Sequence, residues 1–120
     1  MSISEPYRKV LLVLIAHPPS RRVLDAACAL CDRLGAGLEI VGLGRRLPED
    51  LPAATAAEVA PSGLNCSMTL KPDWDVEDLI EWANSRACVA TVMVPAPEGA
   101  EAMESDRWRR LVCPLVVVGR

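Results

Sequence analysis

The feature that most constrains the fold is an uninterrupted aliphatic run near the start of the chain. Val10 to Ala16 is apolar at every position, and His17-Pro18-Pro19 follows it directly. A segment that is apolar at every consecutive position is typical of a strand covered on both faces in a parallel sheet. The run is too short for a membrane span, and no small-x-small cleavage site follows it. We therefore predict a buried β-strand over Lys9–Ala16.

Length and composition favour one domain with an aliphatic core. The chain has 120 residues, 51% of them hydrophobic, with three Trp, one Tyr and no Phe. We expect a single domain over residues 1–120. The net charge of −3 is unlike that of a dedicated nucleic-acid-binding protein, so we do not expect a nucleic-acid partner. Because the longest apolar run is too short to span a membrane, we do not expect a membrane partner either. Five cysteines without an export signal indicate reduced thiols and a cytoplasmic protein.

The residues after the first strand predict a helix and a second strand. Ser20 is a suitable N-cap, and the apolar spacing becomes helical from Arg21. Gly35 is expected to end the helix, because glycine enters the left-handed conformation at low cost. Leu38–Leu43 then forms a second short strand. A strand, a helix and a strand in this order predict a right-handed crossover and parallel pairing.

The rest of the chain repeats this alternation. Three further strands are predicted, over Leu64–Leu70, Val89–Val94 and Pro114–Val118. Helices are predicted over Ala53–Ala60, along the stripe Val76, Leu79, Ile80 and Ala83 with Asp73 or Asp75 as cap, and from near Ser105. The fold class is therefore α/β, an open parallel sheet of five strands. Ligands of such sheets bind beyond the carboxyl strand ends where strand order reverses, here Ala16–Ser20 and Val94–Gly99.

Four segments resemble the universal stress protein (UspA-like) family. They are Lys9-Val10-Leu11-Leu12-Val13, Arg33-Leu34-Gly35-Ala36, Val92-Met93-Val94 and Cys113-Pro114-Leu115-Val116-Val117-Val118. The resemblance implies strand order 3-2-1-4-5, helices on both faces and the adenine-nucleotide alpha-hydrolase-like fold. It also implies homodimers, often through the last strand, here Leu115, Val116, Val117 and Val118. In one subgroup it implies ATP at the ends of the first and fourth strands.

The ATP-binding pattern of that subgroup is absent from this sequence. The subgroup has an aspartate at the end of the first strand, where this chain reads Ile15-Ala16-His17. Its Gly-x2-Gly-x9-Gly-Ser/Thr loop lets backbone N–H groups surround phosphates. An ungapped reading places Val94, Pro97 and Arg107 at the glycine positions and Trp108 at the hydroxyl position. We expect a degenerate nucleotide site and no cofactor, with ATP held only if a non-standard route exists.

A small ligand at this edge would contact residues of two loops. We predict the contacts to be Ala16, His17 and Ser20 after the first strand and Val94, Ala96 and Gly99 after the fourth. His17 is the only histidine, and an imidazole can contact an anion or transfer a proton near neutral pH. No other catalytic groups converge on it in the sequence, so a plain loop histidine is the favoured interpretation.

The pair Cys28 and Cys31 has the spacing of redox and zinc motifs. Redox pairs of this kind lie at a helix N-terminus, where the thiol pKa is lowered. This pair falls in mid-helix on the apolar stripe. A zinc site would need two more ligands, and the sequence has no second Cys-x-x-Cys or His pair. We interpret both cysteines as core residues and expect no metal.

Two charged segments have structural interpretations. Arg107-Trp108-Arg109-Arg110 has the residue types of a nucleic-acid contact, but it also suits a helix C-terminus with a partly buried Trp, which we favour. A second segment resembles a calcium loop in composition but lacks the EF-hand spacing and glycine. Its residues are better explained as helix-capping charges: Asp73, Asp75, Glu77 and Asp78.

Three functions follow, in order of preference. The first is a universal stress protein-like module in stress response or regulation, acting through dimerisation and binding of a protein partner or small ligand, without catalysis. The second is a nucleotide (ATP or AMP) binder with a non-standard loop, in which His17, Ser20 and Ala96–Gly99 surround the phosphates. The third is a small redox or hydrolytic enzyme that uses Cys28, Cys31 or His17.

Overall fold

The computed structural model of the protein describes residues 8–96 and 106–118. Its strands are β1 (Lys9–Ile15), β2 (Gly37–Leu43), β3 (Cys66–Lys71), β4 (Val89–Pro95) and β5 (Leu115–Val118). Its α-helices are α1 (Arg21–Leu34), α2 (Leu51–Val59) and α3 (Val76–Asn84), and short 3₁₀-helices cover Ala60–Ser62 and Asp106–Arg110. The strands form one sheet in the order β3-β2-β1-β4-β5 with parallel pairing throughout. The predicted fold class and strand order are confirmed.

The core has two layers, one on each face of the sheet. Val10, Leu12 and Leu14 of β1 belong to the layer under α1 and α2. Leu11 and Val13 belong to the layer under α3. All five of these side chains are 0% exposed. The continuous aliphatic run therefore reflects a strand that buries both alternating faces.

Helix α1 begins and ends at the residues that the sequence predicts. The Ser20 hydroxyl accepts a hydrogen bond from the backbone N–H of Val23 at 3.2 Å. Gly35 follows the last turn with φ 63°, and its N–H bonds back to the helix. These caps satisfy backbone groups that the helix itself leaves unpaired. They fix the start of α1 at the carboxyl end of β1.

Strand β4 extends one residue beyond the predicted end, because Pro95 pairs with Val118. The N–H of Ala96 donates to the carbonyl of Val118 at 2.8 Å, so the neighbouring position, Pro95, turns its nitrogen towards β1. The ladder between β1 and β4 ends earlier, at Met93. Proline therefore removes no ladder hydrogen bond here and can be the last residue of β4.

The segment after β4 contains a 3₁₀-helix over Asp106–Arg110. Trp108 of this helix is buried in the core layer under α3. The side chain of Asn84 holds the following residues, since its Nδ2 donates to the carbonyl of Arg110 at 2.7 Å and its Oδ1 accepts from Val112 N–H at 2.9 Å. The sequence favours a partly buried Trp at a helix C-terminus, whereas the structure buries Trp108, at 7% exposure, in the middle of this 3₁₀-helix.

The two edge strands differ in chemistry. Strand β3 exposes the side chains of Ser67 and Thr69. The residues that alternate with them, Cys66, Met68 and Leu70, are half-buried. Strand β5 instead exposes Val116 and Val117, at 37% and 38%. Val112, which precedes this strand, is 83% exposed. One edge of the sheet is therefore hydroxyl-bearing and the other aliphatic.

Candidate functional site

The chain leaves the carboxyl end of β1 through an unusual backbone conformation at Ala16. Ala16 has φ 73°, and in the described part of the chain no other non-glycine residue has a positive φ. This left-handed region is unfavourable for a residue with a Cβ atom, and strained residues of this kind cluster at binding and catalytic sites. His17 and Ser20 follow on the surface. The predicted residues of the first loop therefore lie on one segment, with His17 and Ser20 exposed and Ala16 half-buried.

The Ser20 hydroxyl already has a structural role at this edge. Its oxygen caps α1 through Val23 N–H, and the Ser20 carbonyl accepts from Leu24 N–H at 3.0 Å. A hydroxyl that accepts one hydrogen bond can still donate its own proton. Ser20 can thus contact an acceptor atom of a ligand without losing the cap.

The predicted residues of the second loop are placed differently. The Val94 side chain is 0% exposed and belongs to the core layer under α3. Ala96 is half-buried, and its N–H is bonded to β5 rather than free for a phosphate. Gly99 lies outside the described residues. The structure therefore gathers Ala16, His17 and Ser20, and ligand binding by any of the six residues stays a prediction.

Of the two α1 thiols, which we predicted to be core residues, Cys31 is buried in the core and Cys28 is half-buried against it. Burial raises the pKa of Cys31 to about 12, and its Sγ donates to the carbonyl of Gly37 at 3.5 Å. Burial also raises the pKa of Cys28, although a hydrogen bond from Ser62 opposes the shift. Cys66 of β3 packs in the same layer, and burial raises its pKa too. Protonated thiols are weak nucleophiles, so this arrangement favours packing.

Two of the four predicted capping residues, Asp75 and Asp78, cap the N-terminus of α3. Asp75 is the N-cap: its side chain accepts from Asp78 N–H at 3.0 Å, while the Asp78 carboxylate accepts from Asp75 N–H at 3.1 Å. Asp73 instead pairs with Arg45. Within residues 8–96 and 106–118, no group of three or more His, Cys, Asp or Glu side chains is arranged to hold a metal ion.

A cleft at the carboxyl ends of β2 and β3 lies outside the predicted loops. It has a volume of about 400 Å³ and opens between the segment after β2 and the segment after β3. Leu47, Leu70 and Pro72 give it an apolar lining, and Arg45, Glu49 and Asp73 surround its mouth. The sequence alone does not reveal this cleft, because its walls come from segments about 25 residues apart without a recognisable motif.

Comparisons with known proteins agree with this fold. No protein-family model matches the sequence, and no curated protein matches it. Among solved structures, the universal stress protein from Archaeoglobus fulgidus in complex with dAMP superposes with TM-score 0.70 at 14% identity, over 95% of this chain and 99% of that one. A universal stress protein family member from Burkholderia pseudomallei gives 0.65 at 18% identity, over 97% and 98%. A universal stress protein in complex with cAMP gives 0.68 at 16% identity, over 96% and 98%.

These likenesses define the class of fold. The chain is an α/β protein with the adenine-nucleotide alpha-hydrolase-like fold. More particularly, it has the fold of the universal stress proteins, so the resemblance seen in the four sequence segments is confirmed at the level of fold. None of the described helices is long and apolar enough to cross a bilayer.

Proposed function

We propose that this chain is a single-domain, cytoplasmic universal stress protein-like module with a degenerate nucleotide site. It acts in stress response or regulation by dimerising and by binding a protein partner or a small ligand, and it catalyses no reaction. The observation that carries the proposal is the end of β1, where the nucleotide-binding subgroup has an aspartate. This chain has Ala16 in a left-handed conformation there, followed by an exposed His17.

The end of β4 supports the same proposal. A phosphate loop needs free backbone N–H groups and glycines that let the chain approach the anion. Val94 occupies the first glycine position and is fully buried, and the Ala96 N–H is bonded to β5. The backbone donor of Ala96 is therefore used in the sheet and is not free for a phosphate.

The dimer is proposed to form through β5, whose outer edge has unpaired backbone groups and no charged side chain among Leu115, Val116, Val117 and Val118. Two copies of the strand can pair antiparallel across a two-fold axis, so each edge satisfies the other. The exposed Val116 and Val117 would be covered in that arrangement. Strand β3 lacks this aliphatic character because Ser67 and Thr69 project from it.

Sedimentation velocity at tens of micromolar protein tests the dimer. We expect the wild-type protein to be a dimer. Val116→Lys or Val117→Lys should dissociate it, because a charge on the shared edge is desolvated on pairing. Thr69→Lys on β3 is the matched control and should leave the dimer intact. A monomeric wild-type protein would contradict the proposal, and so would equal dissociation by the control.

Calorimetric titration of ATP with Mg²⁺ tests the degenerate site. The protein must first be shown by mass spectrometry to carry no bound ligand. We expect no binding heat at any of several temperatures, since the phosphate-binding backbone of the subgroup is missing. Binding at micromolar strength would overturn this part of the proposal.

A second candidate function is nucleotide binding by a non-standard loop. It is favoured by the two solved structures of this fold that are complexes with dAMP and cAMP. In this chain His17 and Ser20 would face the phosphate. Titrations with dAMP and cAMP beside ATP distinguish the two candidates, and a loss of binding in His17→Ala would assign any observed site to the β1 loop.

A further inference from the structure

The cleft at the ends of β2 and β3 exists because β2 contains a glycine where its neighbours need space. A Cβ atom at Gly42 would lie 2.5 Å from Leu47 Cδ1 and 2.9 Å from Leu70 Cδ2. Both distances are shorter than any ordinary carbon–carbon contact. The two leucines therefore rest directly on the backbone of β2. They form a recessed aliphatic floor rather than a continuation of the sheet surface.

The backbone after β2 keeps the recess open. Gly44 has φ +85°, and no atom lies within 4 Å of the position that its Cβ would take. The chain turns away from the sheet here, and the Gly44 N–H donates to the carbonyl of Lys71 at 3.4 Å. This bond ties the end of β2 to the end of β3. The volume of about 400 Å³ falls within the range of small-molecule sites.

The mouth of the cleft carries charges of both signs. Arg45 Nη2 lies 2.7 Å from Asp73 Oδ1, and these side chains are 80% and 76% exposed. Glu49 adds a second carboxylate at the mouth. An ion pair this exposed contributes little to stability, so a ligand can replace it at low cost. The mouth can then offer a guanidinium to an anion and a carboxylate to a cation.

We propose that this cleft binds a free α-amino acid with an aliphatic side chain. Arg45 holds the ligand carboxylate in the two-pronged geometry that suits guanidinium groups. Asp73 and Glu49 hold the ammonium group, and the ligand side chain lies on Leu47 and Leu70. A nucleotide fits poorly, since two carboxylates repel its phosphates. A simple carboxylate brings no ammonium group for Asp73 and Glu49, and a simple amine brings no carboxylate for the Arg45 guanidinium.

Titration of ¹⁵N-labelled protein with L-leucine, followed by amide chemical shifts, tests this site. We expect saturable shifts at Gly44, Arg45, Leu70 and Asp73, with millimolar affinity. Leucinamide lacks the carboxylate and 4-methylpentanoate lacks the ammonium group, and each should bind at least about tenfold more weakly. No saturable shift with leucine at tens of millimolar overturns the proposal, as does equal binding of either analogue.

Substitutions at the mouth assign the charges. Arg45→Gln and Asp73→Asn should each weaken leucine binding about tenfold, a change of about 1.4 kcal/mol. Both side chains are exposed, so the fold should be unaffected. Arg46→Gln is the matched control, because Arg46 is exposed next to the cleft without lining it. An equal effect of the control, or no effect of Arg45→Gln, overturns the assignment.

The cleft is separate from the loop after β1, so its failure and that of the proposed function are distinguishable. Leucine is expected to shift amides at the ends of β2 and β3. A nucleotide bound at the family position would instead shift amides at Ala16 and His17. Shifts at the β1 loop alone on addition of leucine would count against the cleft.

Discussion

The two ends of the sheet differ in how their side chains are used. At the amino end, the Glu39 side chain is only 12% exposed. Its carboxylate forms ion pairs with Arg86 Nη1 at 3.0 Å and with Lys9 Nζ at 3.5 Å. The Arg86 guanidinium also lies over the ring of Trp82, 4.4 Å from its centroid. At the carboxyl end, the Arg45–Asp73 pair and His17 are exposed. Charge is therefore enclosed and structural at one end and accessible at the other.

This difference indicates at which end of the sheet a charged side chain can be substituted without a large loss of stability. A largely enclosed carboxylate with two cationic partners can be altered only at a cost, because both cations lose the carboxylate that they share. Exposed pairs and loops contribute little to stability and can be recruited for binding. Ligand sites of open parallel sheets lie at this same end, in the crevice outside the carboxyl ends of the strands where the strand order reverses.

Removing the enclosed charge should have the largest effect. Glu39→Ala is expected to lower the free energy of unfolding by roughly 2 kcal/mol, because Arg86 and Lys9 lose their shared partner. Glu49→Ala at the carboxyl end is the matched control, with an expected change below about 0.5 kcal/mol. Urea unfolding of both variants measures the difference. Equal losses would remove the distinction between the two ends.

The cap of α1 should have the next largest effect. Ser20→Ala is expected to cost about 1 kcal/mol of unfolding free energy, because the Val23 N–H loses its side-chain acceptor. Ser67→Ala, an exposed serine on β3, is the control and should be nearly neutral. If the two variants unfold at the same urea concentration, the Ser20 hydroxyl is not a working cap.

Substitution of the strained residue after β1 should raise the stability of the protein instead of lowering it. Ala16→Gly is expected to stabilise the protein by about 0.5–1 kcal/mol, because glycine adopts a positive φ without the Cβ penalty. Ala53→Gly, at an exposed position of helix α2, should destabilise it by a similar amount. Thermal unfolding of the pair is sufficient. A loss of stability in Ala16→Gly would show that the Cβ atom makes contacts that outweigh the strain.

The ionisation of the buried Cys31 thiol should have the smallest effect on stability near neutral pH. The pKa of Cys31 is raised from 9.0 to about 12, so the folded state keeps a proton that the unfolded state releases above pH 9. Stability should therefore be insensitive to this group below pH 9 and should fall as pH rises from 9 towards 12. Cys31→Ala should reduce that slope. Unfolding measured across this pH range checks it, and an unchanged slope would exclude Cys31 as the source.

Most of the fold was predictable because it follows from local patterns. The aliphatic run of β1, the cap Ser20, the stop at Gly35 and the alternation of β3 each specify an element without reference to distant residues. The extension of β4 through Pro95 was missed because it depends on which neighbour each N–H faces. That information belongs to the register of three strands and not to the sequence of one.

The sites were less predictable for the same reason. The loop after β1 was located from topology, but the burial of Val94 and the bonding of Ala96 depend on β5, which lies far along the chain. The cleft beside β3 had one local signal, a glycine within the apolar strand β2. A glycine in a strand often marks a close approach by another group. Gly42 marks the approach of Leu47 and Leu70.

The unlike edges of the sheet also limit how copies of this chain can assemble. If the aliphatic edge of one copy paired with the hydroxyl-bearing edge of the next, each addition would leave a fresh edge and the chain of copies would grow without end. Val116 and Val117 meet no aliphatic counterpart on Ser67 and Thr69, which disfavours that contact. A pairing of two β5 edges instead covers both aliphatic edges and leaves the two hydroxyl-bearing β3 edges facing outward. Fibre growth would then require two β3 edges to pair with each other.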